Sequence, residues 1–269
     1  MNHTVPLSKA KIKLIRSLEQ RKYRLRHRLF VVEGDKIVRE ALASPLTVSC
    51  VLAGEEWLGG LPAQLLVKTG ETVLVGEREL SQISFLKTPN QAVALVRIPQ
   101  YGGDGEVFSS GLSLYLDQVQ DPGNLGAILR VADWFGIPHV LCGEGCADPY
   151  HPKSVQSSMG AIIRVKTYPS DVSFFSRLAS HTPEIPVYGT FLNGESIYGE
   201  RLPEKAVIVM GNESKGIGRE VAQFVDRRIY IPSYPAGTLT SESLNVAAAT
   251  AVVCSEFRRK DRATAPNLQ

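Results

Sequence analysis

Three stretches of this sequence mix small, amide and charged residues in a way that suits the holding of a polar ligand. The first is Asp117-Gln118-Val119-Gln120-Asp121-Pro122-Gly123-Asn124-Leu125-Gly126, which opens a helical pattern presenting Arg130. The second is Met210-Gly211-Asn212-Glu213-Ser214-Lys215-Gly216-Ile217-Gly218. The third runs from Ile231-Pro232 through a ten-residue loop to Ser243-Leu244-Asn245, at the head of a long helical pattern. Glycine lets backbone approach a ligand closely, and a helix N-terminus offers N–H groups with no partner inside the helix.

Better-known sites fail on spacing. A Walker A loop needs G-x-x-x-x-G-K-[ST], whereas Lys215 precedes Gly216 and no hydroxyl residue follows as required. A G-x-G-x-x-G fingerprint fails because Gly143-Glu144-Gly145 runs into Cys146, Ala147 and Asp148. No G-x-S-x-G elbow is present. Cys142 and Cys146, with His139 and His151 nearby, lack the paired second half of a zinc site and read as strand-end thiols and solvent-facing imidazoles.

The loops must be positioned by the elements before and after them. Apolar runs at residues 112–116, 139–142, 162–165, 187–190, 206–210 and 228–231 predict strands. Helices are predicted over 124–135, 154–159, 172–179, 219–224 and 243–259. Apolar strands separated by helices imply a mostly parallel sheet covered on both faces, with ligands outside the carboxyl ends of its strands. All three loops lie at such ends.

Upstream, Ser8 can cap a helix carrying Ile12, Ile15 and Leu18, followed by a strand at 29–33 and a helix at 34–43. Further strands are predicted at 47–52, 65–68, 72–75 and 91–96, which makes a small α/β sandwich. The glycine, proline and serine content of 99–111 predicts a linker. The expected plan is therefore a first domain over 1–98, a linker over 99–111, a second domain over 112–262 and a tail over 263–269.

Charge is unevenly placed. From Lys9 to Arg28 there are nine basic residues and a single acid, Glu19, although the whole chain carries a net charge of only +3. A concentration of Lys and Arg suits a polyanion, because each cation on a phosphate releases condensed counterions; a solvated helix face is the competing reading. With 43% hydrophobic and 21% charged residues, the composition excludes disordered and collagen-like classes. The longest nearly apolar run, 246–254, is far short of the ~20 residues of a membrane span. Four cysteines and no apolar leader segment predict free thiols and a cytoplasmic location. The Arg-rich start also fits a mitochondrial transit peptide, but it passes straight into an apolar strand pattern.

Taken together, Asp121-Pro122-Gly123-Asn124-Leu125-Gly126-Ala127-Ile128-Leu129-Arg130, then Val209-Met210-Gly211-Asn212-Glu213-Ser214-Lys215-Gly216-Ile217, then Ile231-Pro232 and Glu242-Ser243-Leu244-Asn245-Val246-Ala247, resemble three ordered motifs. They are those of the SpoU/TrmH family of RNA ribose 2′-O-methyltransferases, in the SPOUT superfamily, and the resemblance runs from about 112 to 259. Lys22-Tyr23-Arg24 and Phe30-Val31-Val32-Glu33-Gly34 resemble, more loosely, the L30e-like RNA-binding domain often fused to it. One departure is the loop before Ser243, longer than is common in the family and containing Tyr234, Pro235, Gly237 and Thr238.

The resemblance implies an α/β chain: a small L30e-like sandwich, then a mostly parallel-sheet methyltransferase domain with a trefoil knot. It implies methyl transfer from S-adenosylmethionine to a ribose 2′-hydroxyl in structured RNA, ribosomal ahead of transfer RNA, with no metal. Arg130 would sit at the target ribose, with Asn124 shaping that site and Glu213 and Asn245 as the polar residues of the second and third motifs. Arg130 is not read as a simple base, because a guanidinium has donors and no acceptor; it would stabilise a developing alkoxide or clamp a phosphate. Thr190, Gly211, Ile231, Ser243 and Leu244 would contact the cofactor. Lys9, Lys13, Arg21, Lys22, Arg24 and Arg26 would bind RNA, and a homodimer would form through the knotted domain, with Val252 and Val253 as interface candidates. The rival readings are a non-catalytic L30e-like RNA-binding protein and a knotted methyltransferase acting on a base. Calorimetry with S-adenosylmethionine separates the first from an enzyme, and the Asn124/Arg130 motif disfavours the second.

Overall fold

The computed structural model describes residues 4–67, 69–102, 105, 107, 111–235 and 241–262. Lys68, part of the expected linker (103, 104, 106 and 108–110), Gly237, Thr238 and the expected tail therefore lie outside the described residues. The chain divides into two compact units, Met1–Gln100 with Asp148–Ile163, and Tyr101–Ala147 with Arg164–Gln269. A single cut at the 99–111 linker does not give this division, because a segment of the later sequence returns to the first unit.

Along the first part run β1 (Thr4–Pro6), α1 (Lys9–Ser17), α2 (Arg21–His27), β2 (Leu29–Glu33), α3 (Asp35–Ala43) and β3 (Val48–Ala53). They are followed by α4 (Glu55–Gly59), α5 (Ala63–Leu66), β4 (Thr72–Leu74), α6 (Glu77–Ile83) and β5 (Ala92–Arg97). Next come β6 (Leu112–Leu116), α7 (Pro122–Trp134), β7 (His139–Cys142), α8 (Pro152–Ser157) and β8 (Lys166–Pro169). The last are α9 (Ser173–His181), β9 (Val187–Ser196), β10 (Ala206–Met210), α10 (Arg219–Ala222), β11 (Arg227–Tyr230) and α11 (Val246–Arg262).

The first unit is built on a five-stranded sheet of order β1-β4-β3-β5-β2. Its pairs are parallel except where β5 runs antiparallel to β3 and β2. Ser8 caps α1 as expected, accepting from Lys11 N at 3.2 Å. Alternation along β2 sends its side chains to opposite faces. Val31 joins Ile15, Leu18, Leu52, Val73 and Ile83 in one core cluster. Phe30 meets Tyr150 of the returning segment, ring centroids 4.9 Å apart. Of the strand expected at 65–68, Leu65 and Leu66 lie instead in the short helix α5, which begins directly after Pro62. Proline fixes a backbone angle suited to entering a helix, and that overrides the β-forming character of Leu and Val.

The basic stretch breaks into α1 and α2, and one of its arginines faces inward. Arg24 is 1% exposed. Its guanidinium donates to Asp148 Oδ2 through Nε at 3.0 Å and Nη2 at 2.6 Å, and through Nη1 to the carbonyls of Leu18 and Glu19, each at 2.7 Å. The expectation that Arg24 binds RNA is therefore corrected: its donors are consumed inside the unit. Arg24→Ala is expected to lower stability by about 3–5 kcal/mol, because it strands a largely buried carboxylate. Arg24→Lys should recover little, since an ammonium cannot reproduce the planar fork. Denaturant unfolding that gave both variants wild-type stability would contradict this.

The second unit carries a six-stranded sheet of order β11-β9-β10-β6-β7-β8. Every neighbouring pair in it is parallel. One face is packed by an aromatic cluster that includes Tyr115, Tyr168, Phe174 and Phe175 with Val187, Val207 and Val209. The strand expected at 162–165 lies a few residues later: Ala161–Ile163 make a 3₁₀ turn and β8 begins at Lys166. Helices α7 and α11 pack together, and Arg258 Nε donates to Phe135 O at 3.0 Å. Val253 is 1% exposed, so of the two interface candidates it belongs to the unit's own core.

Candidate functional site

Because β11, β9, β10 and β6 are adjacent and parallel, their carboxyl ends open on one side of the sheet, and the three polar loops follow β6, β10 and β11 there. The first loop turns into α7, where Asp121 caps the helix by accepting from Asn124 N at 2.9 Å and Pro122 occupies the first turn. That cap fixes the backbone that carries Asn124.

The second loop is a tight turn closed by reciprocal bonds, Asn212 N to Gly216 O at 3.0 Å and Gly216 N to Asn212 O at 2.9 Å. Gly216 takes φ +67°, a conformation that favours glycine. The Asn212 side chain accepts from Ser214 N and Lys215 N, each at 3.0 Å, and donates to Gln118 O at 2.8 Å. Asp117, 5% exposed, accepts from Gly218 N at 2.6 Å, while its own N–H donates to Met210 O at 2.8 Å. These two side chains stitch the first loop to the second. Neither stands out in the sequence by itself, although both lie inside the polar stretches that follow β6 and β10.

The result is a relay of three motif residues. Asn124 Nδ2 donates to Glu213 Oε1 at 2.7 Å, and Asn245 Nδ2 donates to Asn124 Oδ1 at 2.9 Å. Asn245 Oδ1 accepts from Ala247 N at 3.0 Å and Ala248 N at 3.3 Å, so the same side chain caps α11. This cap is why α11 starts at Val246 and not at Ser243. Ser243 Oγ reaches Glu213 O at 3.5 Å. Both ends of the Asn124 amide are thus fixed by groups from the other two loops, a preorganised polar cluster at the carboxyl end of the sheet.

Arg130 stands apart from this relay. It is exposed on α7 and makes no hydrogen bond or ion pair among the described residues. Six helical residues beyond Asn124 it lies roughly 9 Å further along the axis and about 240° around it. Its side chain is free to meet a ligand.

The residues read as cofactor contacts occupy the same end of the sheet. Thr190 is half-buried in β9, its hydroxyl donating to Val209 O at 3.2 Å. The β9–β11 ladder jumps from Gly189 to Glu195, so residues 190–194 leave the pairing. Sequence alone ended that strand at residue 190, where the ladder breaks. Ile231 is half-buried directly after β11, and Leu244, an apolar side chain, is 49% exposed. Gly211 is buried, and a Cβ there would stand 2.4 Å from the Gly216 carbonyl carbon and 2.5 Å from Ile217 N. Gly211→Ala is therefore expected to cost about 1–3 kcal/mol and to displace the loop that presents Glu213. Wild-type Tm in that variant would show that the two backbone segments can separate freely.

Among the described residues no group of three His, Cys, Asp or Glu side chains is placed to hold a metal ion, and the four cysteines are free. Burial pushes the Cys146 thiol up to about 11 and the Cys254 thiol up to about 12, which keeps both protonated at neutral pH. Of the basic residues read as RNA contacts, Lys9, Lys13, Arg21, Lys22 and Arg26 are exposed. No helix among the described residues is long and apolar enough to cross a membrane.

Residues 111–255 match the SpoU rRNA Methylase family, and residues 9–94 match an MRM3-like substrate binding domain. The chain is 31% identical over 252 residues to the 23S rRNA (guanosine(2553)-2′-O)-methyltransferase RlmP of Bacillus subtilis strain 168, covering 92% of this chain and 96% of that protein. A Porphyromonas gingivalis structure described as an RNA methyltransferase of the TrmH family is 42% identical, with a TM-score of 0.83 over 95% of this chain and 100% of that one. The AdoMet-bound rRNA methyltransferase of Sinorhizobium meliloti is 27% identical, with a TM-score of 0.85 over 96% of this chain and 98% of that one. The motif order, the parallel sheet that presents it and these likenesses agree: the chain belongs to the SpoU rRNA methylase family.

Proposed function

We propose that this chain transfers a methyl group from S-adenosylmethionine to the 2′-hydroxyl of a ribose in ribosomal RNA. The observation that carries the reading is the Glu213–Asn124–Asn245 relay, which gathers one residue from each of three motifs far apart in the sequence. The residues at the carboxyl end of the sheet fit the cofactor. Exposed Leu244 and half-buried Ile231 offer apolar faces for an adenine, beside residues 190–194, which leave the β9–β11 ladder. When bound, the cofactor supplies an activated methyl on a sulfonium.

The chain's own task is then to hold the ribose oxygen in line with that carbon and to favour its negative charge. Arg130, exposed and without a partner among the described residues, is assigned to the target ribose or its adjacent phosphate. Asn124, held at both ends, fixes the polar wall beside it. The exposed cations of the first unit hold the RNA by its phosphates. We further assign a cytoplasmic location, a trefoil knot in the second unit, and a homodimer through it that would cover Trp134, an indole 80% exposed on α7.

Labelled S-adenosylmethionine, the full chain and ribosomal RNA from cells lacking the protein test the reading. The label is expected in a 2′-O-methylnucleoside after complete digestion. Label confined to a base would favour the base-methyltransferase reading, and absence of cofactor binding by calorimetry would favour a non-catalytic RNA-binding protein.

A further inference from the structure

One end of the first unit's sheet carries a basic depression that the relay and the basic helices do not use. It has a volume of about 340 Å³ and lies where β2 and β3 begin and β5 ends. Arg28 and Arg97 line it with Thr47, Leu46, Ile98 and Pro99, and no acidic residue does. Both arginines are exposed, and neither makes an ion pair among the described residues. Their spacing is fixed by the ladder: Ile98 N donates to Arg28 O and Arg97 N to Thr47 O, each at 2.9 Å, and Leu29 pairs with Arg97.

Arg28 is also the C-cap of α2, in the left-handed region at φ 54° and ψ 40°. That position favours glycine or asparagine, so an arginine there carries backbone strain that its side chain, exposed and unpaired, does not relieve within the unit. A residue in this backbone region and a second arginine thus line one depression together with apolar side chains. Two planar forks suit phosphate oxygens, and Leu46, Ile98 and Pro99 suit the sugar and base between them.

We infer that this depression is a second RNA subsite, in which Arg28 and Arg97 hold consecutive phosphodiesters of a single-stranded segment. The inference rests on the reading that the chain acts on RNA. The test measures binding of the full chain to poly(U) across a series of salt concentrations, for the wild type, Arg28→Gly, Arg97→Gln and the double variant. Losing two phosphate contacts should lower the slope of log affinity against log salt by about 1.4. Arg28→Gly should at the same time leave Tm at or above the wild-type value, because glycine relieves the strain. Wild-type slopes in the double variant would overturn the subsite while leaving the enzymatic reading intact. A Tm lowered in Arg28→Gly would mark the arginine as structural and overturn it equally. A wild type that bound neither poly(U) nor ribosomal RNA would overturn the functional reading itself.

Discussion

Arg130→Ala should lower turnover by ~10²-fold or more while leaving S-adenosylmethionine affinity nearly unchanged. A hundredfold loss corresponds to about 2.7 kcal/mol of transition-state stabilisation. The substitution is well suited to isolating that quantity. Arg130 is exposed on α7 and without a partner among the described residues, so removing it should shift stability by no more than about 0.5 kcal/mol. Alanine also preserves the helix. The kinetic effect therefore exceeds any folding effect several-fold, and a fall in kcat with unchanged Tm reads directly on chemistry. Arg130→Lys should also be poor, because an ammonium keeps the charge and loses the planar fork. Wild-type turnover in Arg130→Ala would remove the residue from the site and leave the Asn124 relay to act on the ribose without it.

The relay explains why the motifs look conspicuous in the sequence and why their arrangement does not. Strands β6 and β10 are buried at every position, so they read as plain apolar runs, and their ends were legible to the residue. The polar residues that follow them stand out against that background. What links them is separated by 89 residues in the case of Asn124 and Glu213, and by 121 in the case of Asn124 and Asn245. No local pattern encodes such pairs; here only the resemblance brought them together.

Arg24 shows the same limit from the other side. By composition it is one of a crowd of exposed cations, and only the return of Asp148, 124 residues later, makes it a buried ion-pair partner. Short elements failed for a different reason. At the 3₁₀ turn of Ala161–Ile163 all three residues are buried, and packing overrides their strand-forming character; at α5, which buries none of its residues, the preceding Pro62 decides. The break in the β9–β11 ladder at residue 190 was felt in the sequence as a strand end, but the chain resumes pairing at Glu195.

An RNA substrate carrying a single 2′-deoxy replacement at the target nucleotide should accept no methyl group at all. The reason is stoichiometric: the attacking oxygen is absent, and no adjustment of the active site can supply it. Binding should nevertheless fall by no more than about tenfold, because phosphate contacts dominate affinity and one lost hydroxyl removes about one hydrogen bond. The separation of the two readouts is what gives the experiment its force. A base methyltransferase of the same fold would show the opposite pattern, with transfer surviving the loss of the hydroxyl. A non-catalytic RNA-binding protein would bind both RNAs and methylate neither. Transfer to the ribo substrate, none to the deoxy substrate, and similar affinity for both would together place the nucleophile on the ribose. Continued methylation of the deoxy RNA at that nucleotide would overturn the 2′-O assignment while leaving the family and the cofactor untouched.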